Sequence, residues 1–330
     1  MQHARAVASG PPVRPVPDPE NVQHCYTSFA PQPWTSIVRL APLVLVLTLL
    51  AMPALAQAPQ KTGDDDKRNE LPGGDIFGFT DSTDVGDRGD RGASVENTLR
   101  AGKGGGTYRA LGTKYELGAT PVDRLSLSLA AFTAAHRIRS VPGLDDRRSI
   151  AFDGLSVEAV YQVLPRTGSG VAVALAVEPR WSRIDSGGGT RQEGFEAETK
   201  LFVDAILVPG KLYGAFNLNY APGVSREPGR DWERSSSTNV SAALAYQFTD
   251  KIFGSVEARF LSSFEGAVLN RNVGNALFVG PNVLVKIGES ASLNVAWTPQ
   301  VAGRARGSDR SLDLDNYERH QLRVKFSTSF

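Results

Sequence analysis

Residues 195–207 read FEAETKLFVDAIL. Phe195, Ala197, Thr199, Leu201, Val203, Ala205 and Leu207 fall on one side of a period of two, with Glu196, Glu198, Lys200 and Asp204 on the other. A helix would scatter those charges into its apolar stripe. A pleated strand separates them, because successive side chains point to opposite faces. Neighbouring stretches repeat the pattern: Leu155, Val157, Ala159, Tyr161 and Val163 oppose Ser156, Glu158 and Gln162, and Leu212, Phe216, Leu218 and Tyr220 oppose Asn217 and Asn219. Followed outward, the alternation predicts strands over 94–103, 107–119, 124–136, 150–164, 170–182, 192–208, 211–221, 235–248, 252–263, 277–287, 291–299 and 319–330.

The connections decide what these strands build. Residues 120–123, 165–169, 209–210, 249–251 and 288–290 make short links, whereas the alternate ones are mostly long and polar, such as 222–234 and 300–318. Short periplasmic turns facing long extracellular loops are the layout of a transmembrane barrel, and a soluble sandwich has no reason to alternate this way. The expected fold is all-β: a closed antiparallel up-and-down transmembrane β-barrel of about twelve strands, over 93–330. Ten or fourteen strands stay open, because the first strand and the stretch around Pro281 are weakly patterned. Pro179 and Pro281 fall inside predicted strands, where each deletes a ladder hydrogen bond and calls for a bulge or a shifted boundary.

Composition agrees. With 41% hydrophobic and 22% charged residues the chain is suited to folding. A mean hydropathy of −0.21 is too polar for a helical membrane protein but suits a barrel, in which only alternate residues meet lipid. The net charge of +1 gives no electrostatic case for nucleic acid.

Ahead of the barrel, residues 40–56 read LAPLVLVLTLLAMPALA, a short apolar run after Arg39 that ends in the small-x-small triplet Ala54-Leu55-Ala56. This reads as a signal peptide cleaved before Gln57. A membrane anchor is the rival reading, but 17 residues interrupted by Pro42 and Pro53 are short for a bilayer of ~30 Å. Residues 1–38 make an unusually long n-region, which leaves open a translation start further downstream. The only cysteine, Cys25, and two of the four histidines precede the cleavage site. The mature chain then lacks thiol chemistry and keeps His136 and His320. Residues 57–92 are rich in Gly and Asp and are expected to form a flexible periplasmic segment; whether they enter the barrel as a plug is open.

The C-terminus, Gln321-Leu322-Arg323-Val324-Lys325-Phe326-Ser327-Thr328-Ser329-Phe330, alternates strictly and ends on Phe. It resembles the terminal strand of bacterial outer-membrane β-barrel proteins, whose last aromatic residue is part of the signal read by the barrel-insertion machinery. The stretch Asp75-Ile76-Phe77-Gly78-Phe79-Thr80, with Asp84-Val85-Gly86 after it, is similar to the start of uncharacterised proteobacterial envelope proteins. The resemblance implies export to the outer membrane, with the insertion machinery and outer-membrane lipids as partners, and no assigned activity.

Charged groups cannot face hydrocarbon, where a midplane Arg or Lys costs ~2–4 kcal/mol. Glu158, Glu178, Arg180, Glu196, Glu198, Lys200, Asp204, Glu257, Arg259, Lys286, Arg323 and Lys325 are therefore expected to line the interior. They would either set the preference of a water-filled channel or pair and close it. Trp181, Tyr220, Phe248, Phe253, Trp297 and Phe330 lie near predicted strand ends, where aromatic girdles meet the membrane interface; ordinary core packing is the plainer alternative.

Other patterns carry less. Gly102-Lys103-Gly104-Gly105-Gly106-Thr107 lacks the order of a phosphate loop and reads as a turn. Asp81, Asp84, Asp87 and Asp90 lack Ca²⁺-loop spacing and read as a solvated linker, and Arg88-Gly89-Asp90 as coincidence. No Gly-x-Ser-x-Gly is present. A lipid hydrolase would need His136 or His320 beside an outward serine. The expectation is a narrow passive channel for small polar solutes, with no enzymatic activity, cofactor, metal or nucleic-acid partner. A non-conducting structural or loop-binding barrel is the alternative, and an outer-membrane lipid hydrolase a weaker third.

Overall fold

The alternation is realised as twelve strands: β1 (Arg91–Ala101), β2 (Thr107–Val122), β3 (Leu125–Arg139), β4 (Arg147–Leu164), β5 (Val171–Ile184), β6 (Arg191–Val208), β7 (Leu212–Arg226), β8 (Glu233–Gln247), β9 (Ile252–Glu265), β10 (Arg271–Ile287), β11 (Ala291–Ala305) and β12 (His320–Ser329). The computed structural model describes residues 71–73, 75–166 and 170–330, all within the unit Lys61–Phe330; the expected signal peptide, 1–56, lies outside the described residues. Each strand pairs antiparallel with the next, and β1 pairs with β12, from Gly92 opposite Ser329 to Ala101 opposite His320. That last pairing closes the sheet and removes both edges, so every strand finds hydrogen-bond partners without water.

The two faces divide as the period demands. Leu117, Leu129, Val157, Leu175, Leu218, Val256 and Val283 are exposed on the outer surface. Along β3 the outward residues run Leu127, Leu129, Ala131, Thr133, Ala135, nine positions from first to last, which is the length a tilted strand needs to cross hydrocarbon. An apolar belt on this scale is a lipid-facing surface. The opposite face carries small and polar residues, among them Ala130, Ser156, Ala174, Asn217, Glu257 and Asn294, all buried. No described helix is long and apolar enough to cross a membrane; the strands do so.

Both termini of the barrel and the links β2–β3, β4–β5, β6–β7, β8–β9 and β10–β11 share one end. The other end carries the remaining loops, the longest of which joins β11 to β12. Several strands reach further toward that loop end than the alternation suggested. β7 continues to Arg226 and β11 to Ala305 rather than stopping at 221 and 299. Beyond the lipid belt the outward face becomes polar, so the apolar signal fades while the ladder goes on.

The prolines are accommodated by local gaps. Pro281 stays opposite Val256 of β9, whereas the β10–β11 ladder passes from Phe278–Gln300 to Asn282–Ala296. Within the gap, a side chain on Gly280 would meet the Trp297 carbonyl at 1.9 Å, so only glycine fits this approach. Pro179 likewise pairs with Ala197 of β6, beside a gap between Ser156–Arg180 and Ala159–Val177 in the β4–β5 ladder.

Candidate functional site

The interior is organised around residues 75–85. Asp75 meets Lys325 Nζ and Ser327 Oγ of β12, each at 2.7 Å. Asn294 of β11 donates to the Phe77 carbonyl at 2.9 Å, and Asn282 of β10 to that of Ile76 at 3.2 Å. Arg323 of β12 donates to the Gly78 carbonyl. Glu257 of β9 accepts from the N–H groups of Phe79 at 2.8 Å and Thr80 at 3.1 Å. Asn217 of β7 brackets Asp81, accepting from its N–H at 2.7 Å and donating to its carbonyl at 3.0 Å. Asp204 of β6 accepts from Thr83 N–H at 2.7 Å, and Thr120 of β2 donates to the Val85 carbonyl at 2.5 Å.

A short peptide can touch β2, β6, β7, β9, β10, β11 and β12 together only from inside the cylinder. The segment therefore crosses the lumen, in the half nearer the short turns. Ile76 and Phe77 are fully buried against Tyr213, Ala215, Ala243, Ala245, Phe253 and Leu284, an apolar patch on the inward faces of β7–β10. This corrects the expectation of a flexible periplasmic segment for these residues. The buried backbone groups of an extended peptide need partners, and the inward Asn, Glu, Asp and Arg side chains supply them.

Charge holds the two ends of the segment. Burial would raise the Asp75 carboxyl, but Lys325, Ser327 and Arg323 outweigh it and hold it at about 2. Near the other end, Arg166 lies against Asp84 at 3.2 Å and against Asp204. Burial pulls its guanidinium down, and the two carboxylates more than restore it. A Cβ on Gly78 would stand 2.4 Å from Glu257 Oε1, so this close approach requires glycine.

Most of the expected interior residues fall into two groups, with Arg180, Glu196 and Lys286 outside both. Asp204, Glu257, Arg323 and Lys325 grip the segment, and Arg259 lies over the Phe79 ring, 3.7 Å from its centre. Glu158, Glu178, Glu198 and Lys200 form an ionic band on β4–β6. Lys200 Nζ is 2.8 Å from Glu158, 2.5 Å from Glu178 and 3.3 Å from Glu198. Lys114 and Glu116 of β2 extend it, paired at 2.5 Å. Glu196 stands one inward pair nearer the loop end, opposite Arg180 in the β5–β6 register. Arg180 binds Asp153 and lies 4.2 Å above the Phe132 ring. Lys286 lies 5.6 Å from the centre of the Phe253 ring.

That last contact overturns one expectation. Phe253 is not an interface aromatic: it is fully buried within the barrel. Ile252 begins β9 facing outward, so its successor must face in. Phe248 and Phe330 are exposed at the turn end, and Trp181 is near the loop end of β5, 6.4 Å from Phe152. Tyr220 and Trp297 lie well inside the lengthened β7 and β11.

Sequence reasoning set Asn217 and Gln162 on the polar face without assigning them to the site, and it missed Asn282, Asn294, Arg166 and Ser241, whose hydroxyl lies 3.1 Å from that of Thr80. The available signal was asparagine recurring at inward positions of strands, where it is ordinarily depleted. Asp84 and Asp87 bind different partners, Arg166 and the Asp90 side chain. The described residues hold no group of three or more His, Cys, Asp or Glu able to bind a metal ion. His136 Nε2 faces the Ser186 carbonyl at 3.2 Å, and His320 stacks on Trp297 at 6.0 Å.

Beside the segment, at the turn end, a cavity of about 290 Å³ is lined by Ser94, Glu116, Ser126, Lys325 and Ser327 among others. Glu116 is common to this cavity and the ionic band. At the loop end, the β11–β12 connection folds inward: Gln300 donates to the Asp313 carbonyl at 3.1 Å, and Tyr317 packs edge-on against Phe278.

Comparison with solved structures places this fold among bacterial outer-membrane barrels. An outer membrane channel from Pseudomonas putida F1 is similar over 79% of this chain and 100% of its own, with 11% identity and a TM-score of 0.51. The NanC porin is similar over 72% and 98%, with 10% identity and a TM-score of 0.45. The translocator domain of the autotransporter NalP from Neisseria meningitidis is similar over 73% and 88%, with 14% identity and a TM-score of 0.42. No curated protein matches the chain. With its closed twelve-strand cylinder and lipid-facing belt, the protein is an outer-membrane β-barrel. Residues 70–330 match the profile of a family of unknown function, DUF6662, and the chain belongs to that family.

Proposed function

We propose that the protein is a narrow passive channel for small polar solutes, with its own N-terminal segment as the constriction. The observation that carries this reading is the unequal use of the interior wall. Residues 75–85 are gripped mainly by β6–β12. The ionic band and the cavity at the turn end lie along β1–β6 and β12. A polar route then passes beside the segment, through Ser126 and Glu116 to Lys114, Lys200 and the glutamates around them.

In that band Glu116, Glu158, Glu178 and Glu198 outnumber Lys114 and Lys200. The excess of carboxylates favours cations over anions of the same size. Purified protein in planar bilayers should give small discrete conductance steps, with a reversal potential of cation-preferring sign under a KCl gradient. Glu198→Gln should move that potential toward zero. Persistent electrical silence would refute the channel. A non-conducting barrel that works through its loops is the second reading, favoured by the inward fold of the β11–β12 connection, and silence would support it. The terminal strand ending in Phe330 is assigned to recognition by the insertion machinery.

A further inference from the structure

Three arginines stand side by side on the outer wall at the loop end. Arg109 of β2 is directly opposite Arg137 of β3, and Arg137 directly opposite Arg148 of β4. All three are exposed. Among the described residues none has a carboxylate partner, and Arg139 stands two positions further out on the same face. The acids nearest in sequence, Asp145 and Asp146, belong to the loop beyond, where Asp146 accepts from the Ser140 N–H at 2.6 Å. Like charges directly opposite on a sheet repel, so an unpaired row of three is unfavourable unless an anion neutralises it.

The depth of the row identifies the anion. One pair below it lie Leu111, Ala135 and Ile150 in register, and one pair below those Thr113, Thr133 and Phe152. Ile150 is 84% exposed, the most exposed of the large apolar residues on this wall. The row therefore caps the nine-position lipid-facing run of β3 and stands at headgroup level. It lies at the end opposite the barrel termini, which places it in the outer leaflet. Adjacent strands are ~4.8 Å apart, so three guanidiniums span roughly 10 Å. Guanidinium forks bind phosphate bidentately, and the apolar residues beneath them suit acyl chains.

We infer that Arg109, Arg137 and Arg148 form a binding site for a phosphorylated glycolipid of the outer leaflet, its phosphates on the arginine row and its acyl chains on Ile150 and Phe152. A soluble acidic partner would need only the charges. The continuity of the row with the hydrocarbon belt favours a lipid.

The test uses the purified full chain in neutral detergent, with bisphosphorylated lipid A as probe and its dephosphorylated form as control, read by native mass spectrometry. The phosphorylated lipid should be retained at concentrations roughly tenfold lower than the control, a difference of about 1.4 kcal/mol. R109Q/R137Q/R148Q should abolish the difference, while R230Q, at the Glu227 pair elsewhere on the rim, should keep it. In lipid-free detergent the triple variant should melt at the same or a higher temperature, since it removes only repulsion. Equal retention of both lipids, or unchanged retention by the triple variant, would overturn the inference. So would complete displacement by equimolar inorganic phosphate, which would mark a simple anion site. A lower melting temperature without lipid would also overturn it, because the guanidiniums would then be satisfied within the protein.

Discussion

The Glu257 carboxylate accepts the backbone N–H of Phe79 at 2.8 Å, joining the barrel wall to a residue 178 positions earlier in the chain. The same carboxylate takes the Thr80 N–H, so one side chain satisfies two buried donors of the crossing segment. Hydrogen bonds to a charged group contribute about 1.5–3 kcal/mol, and donors left unmet in a buried site carry the full desolvation penalty. Glu257→Ala should therefore raise local opening of residues 75–85 by tenfold or more while leaving the cylinder intact. Limited proteolysis should show faster cleavage before Arg91, with unchanged heat-modifiable migration of the barrel on gels.

A smaller change at the same contact should act sterically. Gly78→Val places a side chain where Glu257 Oε1 now stands, so segment and carboxylate cannot keep their positions. The expected result is the proteolytic phenotype of Glu257→Ala without loss of the carboxylate. Wild-type protection in Gly78→Val would contradict the contact.

The Asp75 anchor predicts a response to acid. Its carboxyl titrates at about 2 in the folded protein, below its ordinary 3.8. A depressed carboxylate stabilises the folded contact above the ordinary value, and that contribution is lost as pH falls from about 4 through about 2. Pepsin, which works throughout that range, should cut near Phe77 and Phe79 increasingly as pH is lowered from 4 to 2. Asp75→Asn should flatten the step, leaving susceptibility nearly constant.

The outer belt can be tested against the interior at neighbouring positions on one strand. Leu129 is exposed to lipid on β3, and Ser128 faces in, its hydroxyl 3.4 Å from Glu116. Leu129→Arg should destabilise the barrel in bilayers by ~2–4 kcal/mol. Ser128→Lys, beside a carboxylate, should have a much smaller effect. Urea titrations in lipid vesicles would rank the two.

The barrel was legible because period-2 alternation is a local property, and a lipid-facing belt forces it onto each strand. Leu155 to Val163 and Phe195 to Leu207 carry it without any knowledge of their partners. The signal fails where lipid ends. Ser225 and Arg226 of β7 and Arg304 of β11 are paired in the ladder but have no apolar alternation to announce them. The crossing segment was hidden for another reason: it is recognised largely through its backbone. Asn282, Asn294 and Arg323 bind carbonyls that every residue possesses, so residues 75–78 show only the short apolar cluster Ile76–Phe77. Of the interior charges, the faces could be assigned from parity. Which of them grip the segment and which form the Lys200 band depends on contacts between distant strands. Phe253 lies near a strand end, where interface aromatics gather, but its parity with the outward Ile252 turns it into the barrel.

Residues 75–85 lie across the lumen, and the proposed channel requires that they limit passage through it. Single-channel conductance of the purified protein, compared with the same protein lacking residues 75–85, tests this most directly, with heat-modifiable migration confirming that both barrels are folded. Small steps for the complete chain and clearly larger ones for the shortened chain are predicted. Equal conductance from two folded barrels would contradict the claim.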